Sequence, residues 1–216
     1  MTLSMGLFLI GVLALSCLST SIFKQQDQAL AQQYIQKIKY RNLVIDLGNG
    51  VKTNAQLTLP AIGKGPFPAV LLVPGSGAVD MNETLTKNAK PFWQIAQYLS
   101  ERGFDVLRYD KRGIGANGII LNPNVWGNAT ANDLIQDSKR VLNVLTQQPE
   151  VDPRRISIIG HSEGTLYAPR VAIDNSVNVK NIILMGNLAQ SPRDVEYYQD
   201  VSLPSEKMLY LVYSFC

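Results

Sequence analysis

Three short apolar runs, Ala69–Val73, Ile156–Ile159 and Ile182–Met185, limit what this chain can fold into, and Val106–Tyr109 adds a further strand. Runs this short and this apolar suit strands buried on both faces. Helical patterns separate them. Pro91 opens a segment that puts Phe92, Ile95, Ala96 and Leu99 on one face, and Gly103 stops it. Thr130 with Asp133 forms a capping-box pattern ahead of Leu134, Ile135, Val141, Leu142 and Leu145. Thr165 to Ile173 supplies a third helix. Alternation of this kind implies right-handed crossovers and a mostly parallel sheet with helices on both faces. Ahead of it, Asn42 to Leu47 and Val51 to Leu59 flank Gly48-Asn49-Gly50, the pattern of an antiparallel hairpin. The 216 residues hold one such α/β domain, and an apolar content of 46% against 17% charged residues gives it a sizeable core.

Charge and cysteine usage exclude several function classes. The formal net charge is +3, with Lys and Arg scattered, so no nucleic acid partner is expected. Cys17 and Cys216 are the only cysteines and form no C-x-x-C spacing. A disulfide framework is ruled out by that count, and neither a metal nor a cofactor is expected. Met5 to Ile22 is nearly uncharged and mostly apolar, and Ala29-Leu30-Ala31 follows as a small-x-small site. Residues 1–31 therefore read as a secretory signal cut after Ala31, leaving residues 32–216 as the domain. An uncleaved anchor that associates with the membrane through residues 5–22 is the alternative, although about 18 residues make a short span. Leu15-Ser16-Cys17 adds the hint of a lipoprotein site. The expected location is accordingly exported, periplasmic or extracellular, or membrane-anchored. Asn82-Glu83-Thr84 and Asn128-Ala129-Thr130 match the glycosylation acceptor pattern, which is too short to carry weight.

The chemistry sits in Gly160-His161-Ser162-Glu163-Gly164. Ser162 follows an apolar strand directly and precedes a helix directly. A sharp turn there forces the serine into a strained conformation and crowds its neighbours, which small residues on both flanks relieve. The hydroxyl then projects at the carboxyl edge of the sheet, and the following helix aims N–H groups at a developing oxyanion. Ser162 is the expected nucleophile. Val73-Pro74-Gly75-Ser76-Gly77 follows the first buried strand, where such sites place a second donor. The backbone N–H groups of Ser76 and Glu163 are the expected oxyanion pair.

Three stretches in order carry a resemblance: Pro74 to Thr84 (PGSGAVDMNET), Arg102 to Gly115 (RGFDVLRYDKRGIG) and Ile159 to Gly164 (IGHSEG). Across about residues 41 to 190 the chain resembles the α/β-hydrolase superfamily. Within it, the chain resembles the exported bacterial serine hydrolases with serine-aminopeptidase-like and dienelactone-hydrolase-like members. The resemblance implies an α/β-hydrolase fold and hydrolysis of a small-molecule ester, thioester or short peptide through an acyl-enzyme on Ser162. The family more often has His where this chain has Pro74. The dienelactone branch uses a cysteine nucleophile, so serine here favours esterase or peptidase chemistry.

A serine hydroxyl needs a base to accept its proton. His161 is the single histidine of the chain. Its adjacency to Ser162 makes it structural, because on that turn its side chain points away from the hydroxyl. Asp110 precedes the nucleophile, whereas the fold runs Ser, then Asp or Glu, then His. It is expected to be a loop carboxylate paired with Lys111 or Arg112. Asp194, Glu196 and Asp200 follow the last apolar strand too soon to be assigned as the acid. Trp93 and Trp126 are expected in core or loop packing. Met208 to Cys216 is a mostly apolar run, and the later strands that carry the acid and histidine in the resembled family are not among these residues. The sequence is therefore expected to be an incomplete domain of nearly absent activity, since loss of the base costs about 10⁶ in kcat. The alternative is a non-catalytic relic or binding protein on the front half of the fold.

Overall fold

The computed structural model describes residues 37–173, 179–186 and 192–197. Within them β1 (Ile38–Gly48) and β2 (Val51–Pro60) form the antiparallel hairpin that Gly48-Asn49-Gly50 announces, with Leu43 opposite Ala55 and Ile45 opposite Thr53. All three turn residues have positive φ, which Gly and Asn adopt most readily. The chain continues through β3 (Phe67–Val73), α1 (Pro91–Ser100), β4 (Asp105–Tyr109) and the short α2 (Pro123–Gly127). Next come α3 (Ala131–Thr146), β5 (Val151–His161), α4 (Gly164–Ile173), β6 (Val179–Met185) and α5 (Pro192–Tyr197). The six strands make one sheet in the order β1-β2-β4-β3-β5-β6. β4, β3, β5 and β6 run parallel, and β2 joins β4 antiparallel.

The unbroken apolar character of β3 follows from its central place. Ala69, Leu71 and Val73 point into a core with Leu57, Leu107, Ile156 and Ile158 that α3 closes with Val141, Leu142 and Leu145. Val70 and Leu72, one residue out of phase, meet Phe92 and Ala96 of α1 on the opposite face. Period-2 alternation thus divides one apolar run between two cores. The expected helices lie on both faces of the sheet. Ile182, Ile183 and Leu184 of β6 are 40%, 42% and 40% exposed. β6 is the outermost strand of the described sheet and has β5 on one side alone.

The capping box at α3 forms in full. Asp133 N donates to Thr130 Oγ1 at 3.2 Å, and Thr130 N donates to Asp133 Oδ2 at 2.9 Å. Thr130→Ala is expected to lower stability by about 1 kcal/mol. It should be read as a lower urea midpoint at unchanged slope.

β5 begins five residues earlier than the Ile156 start that apolarity predicts. Its first half carries Asp152-Pro153-Arg154-Arg155, where Asp152 accepts from both arginines. The exposed Pro and Arg side chains hide this part of the strand from hydropathy. Residues 1–36, with the signal and anchor candidates, and the apolar run 208–216 lie outside the described residues, as does Asp200. Among the described residues no helix is long and apolar enough to cross a membrane.

Candidate active site

Ser162 stands between the end of β5 and the start of α4 with φ of +50°. A non-glycine residue in the left-handed region costs of order 1–3 kcal/mol and persists only where its surroundings impose it. Here they do. Ser162 N donates to Met185 O of β6 at 2.9 Å, and Thr165 donates to Ser162 O through N at 2.9 Å and Oγ1 at 2.6 Å. The flanking glycines do what the sequence argument requires of them. A Cβ on Gly160 would run into Gly164 O and stand 2.7 Å from Gly164 C. A Cβ on Gly164 would run into Val73 O and stand 2.8 Å from Pro74 O.

β3 delivers the second loop to the same place. A Cβ on Gly75 would stand 3.2 Å from Ser162 Cβ, so the Pro74–Gly77 turn and the serine turn face each other, as the spacing predicts. Gly75 N donates to Glu83 Oε1 at 2.6 Å, and Gly75 O accepts from Lys111 Nζ at 2.9 Å. The next N–H groups, those of Ser76 and Glu163, have no protein acceptor among the described residues. Ser76 is exposed and Glu163 half-buried.

Glu83 is the site residue that sequence reasoning missed. In the sequence it stands in a glycosylation pattern and in the Pro74 to Thr84 stretch, with no role assigned, yet it is 3% exposed with φ of +49°. Its Oε2 lies 2.7 Å from His161 Nδ1, off the axis of a hydrogen bond. His161 also meets Phe92 edge-on, with ring centroids 6.2 Å apart. No hydrogen bond joins His161 to Ser162 among the described residues. An acid eight residues beyond Gly75 in a turn-rich loop was the available signal.

The loop bearing Glu83 is held from both sides. Asp80, 2% exposed, accepts from Asn82 N at 3.2 Å, Thr84 N at 2.9 Å, Thr84 Oγ1 at 2.9 Å and Asn117 N at 3.0 Å. This is the Asx-type turn such residues favour. The fully buried Arg108 donates to Asn82 Oδ1, Gln56 Oε1 and Thr58 Oγ1. Burial pulls its guanidinium pKa down to about 10. Asn82 is therefore committed inward.

Two expectations need correction. Asp110 pairs with neither Lys111 nor Arg112. Buried after the end of β4, it accepts from Met81 N at 2.7 Å, and burial raises its pKa to about 6 against the opposing pull of that bond. The reason is directional: successive side chains diverge as the strand ends. Lys111 turns to Gly75 O and to Glu163 Oε2 at 3.1 Å, while Arg112 grips Asp137 with two bonds of 2.7 Å. Trp93 is not core. It is 37% exposed and lines a groove with Gln56, Met81, Asn82, Lys87 and Lys90. Trp126 packs half-buried against the Gly113 turn, in loop packing as expected. The carboxylate of Glu163 accepts from Lys111 and from Tyr167 OH at 2.7 Å. Asp194 and Glu196 fall on α5. Among the described residues no three metal-ligating side chains cluster.

Residues 79–213 match the family described as "Serine aminopeptidase, S33". Esterase EstD of Thermotoga maritima is 38% identical over 117 residues, which are 54% of this chain and 26% of that protein. Esterase FrsA of Yersinia pestis is 25% identical over 172 residues, 75% of this chain and 37% of that protein. The chain thus spans well under half the length of these curated relatives. Among solved structures, an alpha/beta hydrolase, GrgF, from a Penicillium species superposes with TM-score 0.56 at 21% identity, over 78% of this chain and 53% of that one. A cold-adapted esterase from an Arctic intertidal metagenomic library gives 0.52 at 23% identity, over 68% and 60%. The mixed sheet and its strand order are those of the α/β-hydrolase fold.

Proposed function

We propose that this chain, which belongs to the serine aminopeptidase (S33) family of α/β-hydrolases, presents the nucleophile and oxyanion side of a serine esterase acting on small carboxylic esters. The observation that carries the reading is the +50° φ of Ser162 at the strand-to-helix turn, facing the Gly75 loop. Strain of this kind is characteristic of a nucleophile held clear of its helix. In the proposed step Ser162 Oγ attacks the ester carbonyl carbon while a base, which the described residues do not supply, takes its proton. The C–O bond to the alcohol then breaks, the alcohol leaves with that proton, and the acyl-serine that remains is hydrolysed by water. The negative oxygen formed in between is met by the N–H groups of Ser76 and Glu163, each worth about 10²–10³ in rate when correctly aimed. The resemblance to EstD and FrsA, both named esterases, supports esters as the substrate class.

One observation favours a second, non-catalytic reading. Among the described residues no basic side chain hydrogen-bonds Ser162, and the Nδ1 of His161 faces Glu83. A fluorophosphonate probe decides between the two readings. Prompt labelling at Ser162 that disappears in Ser162→Ala is the result the esterase reading requires. Folded protein that stays unlabelled through long exposure would leave the binding reading standing.

A further inference from the structure

Lys111 is 7% exposed and is used by neither the nucleophile nor the proton transfer. Its Nζ lies 2.9 Å from Gly75 O and 3.1 Å from Glu163 Oε2. These two partners belong to the two loops that carry the proposed oxyanion donors. Gly75 C=O and Ser76 N–H are opposite ends of one planar trans peptide, so holding the oxygen aims the hydrogen the other way. A cation on that oxygen also draws density from the amide nitrogen and strengthens its N–H as a donor. On the other loop, Lys111 and Tyr167 OH together fix the carboxylate of Glu163, the residue whose backbone N–H opens α4. Glu83 completes the arrangement by occupying Gly75 N at 2.6 Å, which leaves Ser76 as the next free donor of its loop. Gly75 and Lys111 are 36 residues apart, and Lys111 and Glu163 are 52 apart. One buried ammonium therefore ties together two turns distant in sequence.

We infer that Lys111 is the positioning residue of the oxyanion hole, orienting the Ser76 peptide through Gly75 O and the Glu163 turn through its carboxylate. The inference rests on the esterase reading of Ser162, and its test is built to fail separately. The variant is Lys111→Met in the full chain, followed by ¹³C′ and ¹H–¹⁵N spectra and by the rate of fluorophosphonate labelling at Ser162. We expect the Gly75 ¹³C′, Ser76 ¹⁵N and Glu163 ¹⁵N resonances to move while those of Val106 and Leu107 hold. Labelling should slow at least about tenfold, short of the full value of one donor. With p-nitrophenyl acetate, kcat should fall and KM stay nearly constant.

A folded variant with unmoved Gly75 and Ser76 resonances overturns the inference, as does labelling at the unsubstituted rate once they have moved. Should Lys111→Met not fold, Glu163→Gln serves instead. It is expected to move the Glu163 amide and slow labelling several-fold, and unchanged labelling and resonances would refute the role. If the unsubstituted protein does not label at all, the nucleophile reading falls by itself. The amide resonances then still decide whether Lys111 holds both peptides.

Discussion

Gly164→Ala is expected to cost more than about 3 kcal/mol and to take most of the folded population with it, because core clashes against backbone are among the largest single-residue effects. Elsewhere in a helix this substitution stabilises by up to about 1 kcal/mol. At Gly164 the added carbon would run into Val73 O, 2.8 Å from Pro74 O and 3.0 Å from Val73 C. Val73 ends β3, the strand paired to both β4 and β5 in the middle of the sheet, and Pro74 follows it directly. No side-chain rotation relieves the clash, and moving β3 means breaking two ladders. Total stability for a domain is about 5–15 kcal/mol, so the loss is a large fraction of it. The comparison variant is Gly127→Ala, where a Cβ meets nothing within 4 Å, and its change should stay within about 0.5 kcal/mol. Urea unfolding of the two side by side measures the difference. Equal midpoints would mean that the helix does not press on β3 as described.

Asp105 sets the second large effect, this one dependent on pH. It is fully buried at the start of β4, and neither carboxyl oxygen has a hydrogen-bond partner among the described residues. Burial raises its pKa from 3.8 to about 7, Glu150 adds to the rise, and Arg41 opposes it. The folded state therefore keeps a proton that the unfolded chain releases near pH 4. Between about pH 4 and pH 7 the native protein binds more protons than the unfolded one, so stability falls as pH rises through that window. One proton held across a full pH interval is worth about 1.4 kcal/mol, and relaxation around the charge reduces the sum, so the fall should be about 2–4 kcal/mol. Asp105→Asn removes the titration. Wild type and variant should be close in stability at pH 4, with the variant more stable by about that amount at pH 8. Asp110, raised to about 6 by its own burial, contributes a slope of the same sign that the variant retains. Parallel pH profiles for the two proteins would refute the assignment to Asp105.

The parts of the fold that were legible in the sequence share a short range. The Gly48-Asn49-Gly50 turn, the Thr130–Asp133 capping box and the alternation in β3 each depend on residues within a few positions of one another. The turn at Ser162 is legible for the same reason. Its strain arises between Gly160 and Gly164, and the crowding by Val73 and Pro74 only reinforces it. The first half of β5 was not legible, because Pro153, Arg154 and Arg155 are exposed and break the apolar run without breaking the strand. The pairing of Asp110 was not legible for a related reason: at a strand end, where side chains diverge, neighbours in sequence are not neighbours in space.

By itself, then, the sequence determined the order of the strands and of the three longer helices, the hairpin, the turn at Ser162 and the loop that faces it. All of these rest on local sterics and on the periodicity with which side chains alternate. Only the tertiary structure decided that Glu83 lies buried between Gly75 and His161, that Lys111 joins Gly75 to Glu163, and that Asp105 is sealed from solvent. Periodicity says which way a side chain faces. Which distant residue it meets, and how much water remains there, depends on how the sheet brings β3, β4 and β5 side by side, and on that contact the charges of the site depend.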